Sequence, residues 1–190
     1  MYARSVGEKV YSFGVSGNLW RDAMVMFDRE TNSLWSHVTG ECIEGEMLGK
    51  RITALNAVLV PYSEWVEQYP ESKILAREGG SKAASHYAGY VESDRLGIFG
   101  TQAKRKELPQ KEIIQGVAYE NVSVAIVSSA FDKKESVEFT LAGQEFVARQ
   151  DGSAVNVFKK LGDDKLEPYP TTTAYWFGWV NFYPRAEVIR

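Results

Sequence analysis

Residues Lys9-Val-Tyr-Ser-Phe-Gly-Val-Ser16 alternate polar and apolar side chains at period two, the pattern of a half-buried strand, and predict one over 10–15. A turn is expected at Ser16-Gly17-Asn18, then a buried strand over Ala23-Met-Val-Met-Phe27. Asp28-Arg-Glu-Thr-Asn-Ser33 is the next turn. Asp and Asn side chains accept hydrogen bonds from backbone N–H groups two residues on and tolerate left-handed conformations, and Thr31 and Ser33 do the same more weakly. The chain returns along Leu34-Trp-Ser-His-Val38. Gly40, Gly45 and Gly49 then interrupt 39–50 too densely for a helix, so a looped crossing is expected. Ser63-Glu-Trp-Val-Glu-Gln-Tyr69 predicts a short helix, with Ser63 at the N-cap after Pro61, Trp65, Val66 and Tyr69 on one side, and Pro70 as the stop. Lys73-Ile-Leu-Ala76 reads as a strand. Residues 77–102, rich in Gly, Ser, Tyr and charge, read as a long irregular connection. Beyond Pro109, Ile113-Ile-Gln-Gly-Val-Ala118 and Val122-Ser-Val-Ala-Ile-Val127 are β-branched and suit core strands.

The last third parallels the first. Val10-Tyr-Ser-Phe-Gly-Val-Ser-Gly17 matches Val137-Glu-Phe-Thr-Leu-Ala-Gly143 in its Phe and Gly, and Phe27 to Ser33 lies over Val147 to Ser153. Glu64-Trp-Val-Glu-Gln-Tyr-Pro70 parallels Gly178-Trp-Val-Asn-Phe-Tyr-Pro184, each followed by a short β-prone stretch. The reading is a mainly β (β-rich α+β) fold: one domain over 1–190, built from related hairpin-plus-short-helix halves at 10–77 and 137–190 joined by 78–136.

Composition narrows the function classes. With 190 residues, 44% hydrophobic and 25% charged, the chain is an ordinary globular one, able to bury roughly 70% of its unfolded surface without a metal or disulfide. A net charge of −3 from 22 basic and 25 acidic residues gives no drive toward nucleic acid. The one cysteine, Cys42, rules out an internal disulfide and a multi-thiolate metal site, and with only His37 and His86 besides, no metal and no cofactor is predicted. No apolar run approaches the roughly 20 residues of a membrane-spanning helix. Met1 to Val10 lacks the apolar core of a secretory signal and leads straight into strand-like sequence, so Met1 is expected to lie inside a longer domain.

Phe27-Asp-Arg-Glu-Thr-Asn-Ser-Leu-Trp35 is the most patterned stretch. Its spacing is a hairpin signature first and a rigid ligand-contact tip second; on the second reading Asp28, Arg29, Trp35 and Glu41 are the candidate ligand-binding residues. The second half keeps Arg149 opposite Arg29 but has Ala148 opposite Asp28. His37 and Cys42 are a candidate imidazole–thiol pair, in which a nearby imidazolium lowers the thiol pKa; a buried, incidental Cys42 is the alternative. His86 and the short basic run from Lys104 read as surface. The familiar nucleophile-elbow, phosphate-loop, dinucleotide and zinc-helix motifs are absent, so no catalytic residue is assigned. Trp65 and Trp179, at equivalent positions, read as core, and Trp20 as exposed; exposed aromatics offer a platform for sugars or peptides.

Phe13-Gly-Val-Ser-Gly17, Met24 to Ser36, Thr39-Gly-Glu-Cys-Ile-Glu-Gly45, Trp65 to Pro70, Leu108 to Val117 and Tyr175 to Pro184 together resemble the family labelled domain of unknown function 3179. The resemblance implies a bacterial or archaeal protein, exported or lipid-anchored in full length, with a Cys-Pro-x-Cys stretch upstream of the Phe13 strand that this sequence lacks. It also implies Gln rather than His at position 37 and a small residue rather than Cys at 42. The expected function is a non-catalytic binding or interaction module for a small molecule, glycan or protein, with self-association through a sheet edge as a further expectation. The alternatives are a redox or metal-handling protein whose cysteine pair lies upstream, and carbohydrate binding through exposed aromatics.

Overall fold

The computed structural model describes residues 1–74, 88–97, 100–101, 105–162 and 165–190. The chain opens with the small hairpin of β1 (Ser5–Val6) and β2 (Lys9–Val10). It continues into an antiparallel meander of β3 (Phe13–Trp20), β4 (Ala23–Asp28), β5 (Leu34–Ser36) and β6 (Cys42–Glu44), in that spatial order. Short helices α1 (Tyr62–Gln68) and α2 (Ala88–Glu92) lead to the hairpin of β7 (Ile113–Tyr119) and β8 (Val122–Ile126). A second meander follows, of β9 (Ser136–Leu141), β10 (Gln144–Asp151), β11 (Ala154–Lys160) and β12 (Leu166–Tyr169). Finally β13 (Thr172–Tyr175), α3 (Trp176–Phe182) and β14 (Glu187–Ile189) return to the hairpin, giving a sheet ordered β13-β7-β8-β14 in which β14 runs parallel to β8.

Tight turns fix the register of these hairpins. Tyr119 pairs with Val122, Leu141 with Gln144 and Asp151 with Ala154, so each loop has two residues. Such loops need left-handed residues to match the strand twist, and Ala142 and Gly143 both have positive φ, 47° and 80°. The β7–β8 hairpin is buried on both faces. Val117, Val124 and Ile126 meet Phe146, Ala148 and Val157 of the second meander, while Ile114, Ala125 and Val127 meet Trp176, Trp179 and Val180 of α3. Strand periodicity of two assigns the faces, and the outcome is three layers: meander, central sheet, helix. Gly116 lies under the indole of Trp179, where a Cβ would come within 2.7 Å of three ring atoms. A third cluster, Trp35, Cys42 and Ile52 with Tyr2, Phe13 and Met26 against it, forms the core of the first meander.

Side-chain contacts join the parts. Trp20 meets Phe182 edge-on at 5.3 Å, and Asn181 donates to the Asp22 carboxylate at 2.7 Å, docking the β3–β4 turn on α3. Glu64 accepts the Ser153 N–H at 2.8 Å, tying α1 to the β10–β11 turn. Arg105 donates to the carbonyls of Pro184 and Ala186 and stacks over Trp176 at 4.9 Å, holding the chain ahead of β7 against the end of α3.

The mainly β class read from the sequence holds. The strands expected at 23–27, 113–118 and 122–127 are present within a residue or so of their ends. The turn expected at Ser16-Gly17-Asn18 is a bulge instead: Ser16 Oγ donates to the Val25 carbonyl at 2.7 Å, the pairing shifts between Val15 and Leu19, and β3 runs on to Trp20. The reversal comes at Arg21 and Asp22, both with positive φ. Helix α1 begins one residue before Ser63 with no side-chain cap. The crossing over 39–50 contains the short β6. Lys73 and Ile74 pair with no strand among the described residues, and Leu75 and Ala76 lie outside them, as do His86, Lys104 and most of the expected irregular connection. Trp65 is 40% exposed whereas Trp179 is 1% exposed, and Trp20 is half-buried. No helix among the described residues is long and apolar enough to cross a membrane.

Candidate functional site

The turn picked out by its spacing is held by Asp28. The carboxylate is fully buried; Oδ1 accepts the Thr31 N–H at 2.6 Å and the Thr31 hydroxyl at 2.8 Å, and Oδ2 accepts the Trp35 indole N–H at 2.8 Å. Burial pushes its pKa up, but the Trp35 and Thr31 hydrogen bonds outweigh burial and hold it below the ordinary carboxylate value. Asp28 and Trp35 are thus brought together inside the core, with Trp35 itself 0% exposed. Arg29 points outward over the Phe27 ring at 5.2 Å, and Glu30 clamps the Ser12 N–H with both carboxylate oxygens. Glu41 lies apart from these, paired with Arg51 at 3.2 Å.

His37 and Cys42 engage different partners. His37 Nδ1 lies 2.8 Å from the Met24 carbonyl, which can only accept, so Nδ1 carries the proton. The Cys42 thiol donates to the Glu44 carbonyl at 3.3 Å from within the Trp35–Ile52 cluster, and burial pushes its pKa up. A raised pKa and a buried sulfur disfavour the thiolate. Native Cys42 is therefore expected to react with iodoacetamide at pH 8 at least a hundredfold more slowly than the urea-unfolded chain; equal rates, read by intact mass, would contradict this environment.

Where the first meander meets β7, β13 and α3 there is a cleft of about 640 Å³. Tyr2, His37, Arg51, Ile52, Thr53, Ala54, Ala57, Val58 and Leu59 contribute on the side of the first meander. Gly116, Ala118, Tyr169, Thr171–Thr173, Trp179 and Tyr183 contribute on the other. Several of its hydroxyls are fixed. Tyr2 donates to the carbonyls of His37 and Val38 at 2.9 and 3.0 Å, Tyr169 to Ala118 at 2.7 Å, and Thr173 to the Gln115 side chain at 3.0 Å. Burial pushes the Tyr2 hydroxyl up to about 12, with Tyr183 adding to the shift, and burial also raises Tyr183 and Tyr169. All three stay protonated at neutral pH. Arg51 is the one charged side chain among the described lining residues, and Glu41 neutralises it. No cluster of metal-ligating side chains occurs among the described residues. The lining is aromatic and neutral-polar, suited to holding an uncharged ligand.

Sequence reasoning missed this cleft because its residues are far apart along the chain. Two local signals were present: the Thr171-Thr-Thr173 run and the uncharged, β-prone stretch from Leu55 to Val60.

Comparison with known proteins adds one finding. No curated protein and no solved structure matches the chain. The family model described as "Protein of unknown function (DUF3179)" matches residues 1–165 of the 190, the part that carries the first meander, the β7–β8 hairpin, strands β9–β11 of the second meander and the first-meander side of the cleft, and the chain belongs to that family.

Proposed function

We propose that this protein is a non-catalytic binding module whose ligand, an uncharged molecule, occupies the cleft between the first meander and the β13–α3 face. The observation that carries the reading is the lining: protonated tyrosines, threonines and the Trp179 ring, with the one charged side chain, Arg51, paired to Glu41. General acid–base catalysis needs a group titrating near neutral pH within reach of a reacting atom; the tyrosines here are shifted away from that range, and the His37 ring at the same cleft is tied through Nδ1 to the Met24 carbonyl. The redox or metal-handling alternative needs thiols beyond Cys42, the one cysteine of this sequence. The test is thermal shift against neutral oligosaccharides and a library of linear peptides, repeated with Thr173→Trp to fill the cleft. At least one neutral ligand should raise Tm in the native protein and not in the variant. Stabilisation that survives Thr173→Trp would overturn the assignment of the cleft.

The two halves are proposed to descend from one duplicated unit. Both Trp helices support this, since Tyr69 and Tyr183 close them with φ/ψ of −130°/69° and −126°/71°, each donating its N–H to the Trp four residues earlier. The Trp–Tyr ring pairs are alike too, at 4.4 and 4.2 Å.

A further inference from the structure

We infer that the occupant of the cleft is an extended polypeptide strand held by its backbone, a reading that rests on the cleft being the binding site proposed above. Two rows of unused backbone groups reach the same cleft, one through Thr172 and Thr173, the other through Ala57, Val58 and Leu59. One is the outer edge of β13: among the described residues this strand pairs only with β7, so alternate N–H and C=O groups of Thr172–Tyr175 face away from the sheet. The other is the stretch from Asn56 to Val60. Leu55 donates its N–H to the Met1 carbonyl at 2.9 Å, and after it the five residues Asn56-Ala-Val-Leu-Val60 make no backbone hydrogen bond among the described residues.

That stretch has the composition of a strand, uncharged and rich in β-branched residues. Yet it lies outside any sheet, with Leu59 69% exposed and Val58 38% exposed. An edge of this kind is a template for another chain.

The same inventory favours a peptide over a glycan. Of the lining hydroxyls, Tyr2, Tyr169, Thr171 and Thr173 have committed their protons to protein acceptors, with Thr53, Thr172 and Tyr183 among those left. The uncommitted backbone groups of β13 and of Asn56–Val60 instead run in continuous rows. Charge sets the partner's chemistry: the one charged side chain of the lining, Arg51, is paired with Glu41 and the rest is aromatic, aliphatic and neutral-polar, which matches a strand with an uncharged core. Length follows from β13, whose four residues at roughly 3.3 Å each give a paired span of about 13 Å. The inferred partner is therefore a separate protein that presents an extended, uncharged segment of about four residues.

The experiment uses linear decapeptides with uncharged β-branched cores, their N-methylated counterparts and neutral oligosaccharides as probes, with affinity measured by calorimetry on the native chain and on Leu59→Pro. Leu59 is exposed and makes no backbone hydrogen bond, so proline removes an edge donor without removing a fold contact; Tm checks this. The expected result is peptide binding weakened at least tenfold by N-methylation and at least tenfold by Leu59→Pro. Binding indifferent to N-methylation would overturn backbone pairing. Oligosaccharide binding without peptide binding would overturn the strand while leaving the cleft as the site. Failure of every neutral probe would overturn both readings. A dimer at micromolar concentration that Leu59→Pro dissolves would assign the edge to a second copy and overturn the separate partner.

Discussion

Replacing Trp179 by alanine is expected to lower stability by about 3–5 kcal/mol, the usual cost of deleting a buried indole, whereas the same change at Trp65 should cost under about 1 kcal/mol. The two positions are the midpoints of helices of matching geometry, so the Trp–Tyr stack is common to both. They differ in what lies beneath. Trp179 rests on Gly116 of β7 within the Ile114–Ala125–Trp176 cluster, while Trp65, hydrogen-bonded to Ser72, leaves 40% of its surface in solvent. Urea unfolding followed by circular dichroism measures both variants. Equal losses would mean that α3 and α1 are packed alike. Gly116 supplies a coupled check: Gly116→Ala alone should destabilise by about 1–3 kcal/mol through overpacking against the ring. The same change in a Trp179→Leu background should cost much less, because the obstructing ring atoms are gone.

Asp28→Ala is expected to cost about 3 kcal/mol, because it strands the Trp35 indole N–H and the Thr31 N–H in the interior, at about 1–3 kcal/mol per orphaned donor. A pH dependence follows with a definite sign. The folded pKa of Asp28 lies below its unfolded value, so its contribution is full above the ordinary aspartate pKa of about 3.9 and is lost as pH falls through the lower folded value. The native protein should lose stability steeply below about pH 4. Asp28→Asn should lose less there, having forfeited that contribution at every pH. A variant whose acid limb is as steep as the native one would place the acid sensitivity elsewhere. Ligand affinity for the cleft is expected to be unchanged in Asp28→Asn at neutral pH and below its melting temperature, since neither Asp28 nor Trp35 lines it.

How much was legible in the sequence depends on how local the cause is. The Asp28–Thr31–Ser33–Trp35 spacing is a local cause, and it yielded a hairpin turn correctly. The ligand-contact alternative attached to the same residues could not be weighed without knowing that both carboxylate oxygens turn inward. The run from Val122 to Val127 was legible as a core strand because it is apolar on both faces, which is what a strand between a sheet and a helix requires. The first reversal was misplaced because Gly17 announces a left-handed residue equally well for a turn or a bulge. The deciding contact, Ser16 to the Val25 carbonyl, spans nine residues. The exposure of Trp65 was illegible for a similar reason: a motif repeated in sequence records the helix and not the surface on which it rests. The cleft lay furthest out of reach, since Tyr2 and Tyr183 come from opposite ends of the chain.

Strand β8 contributes Val124 and Ile126 to one cluster and Ala125 and Val127, the latter just past its end, to the other. A chain built this way has no seam along which the second meander and α3 could part while either stayed intact. Damage to one cluster is transmitted to the other through alternate residues of a single strand. Residues 105–190 should therefore melt in one cooperative transition, so a substitution under α3 and one under β10 would shift the same midpoint.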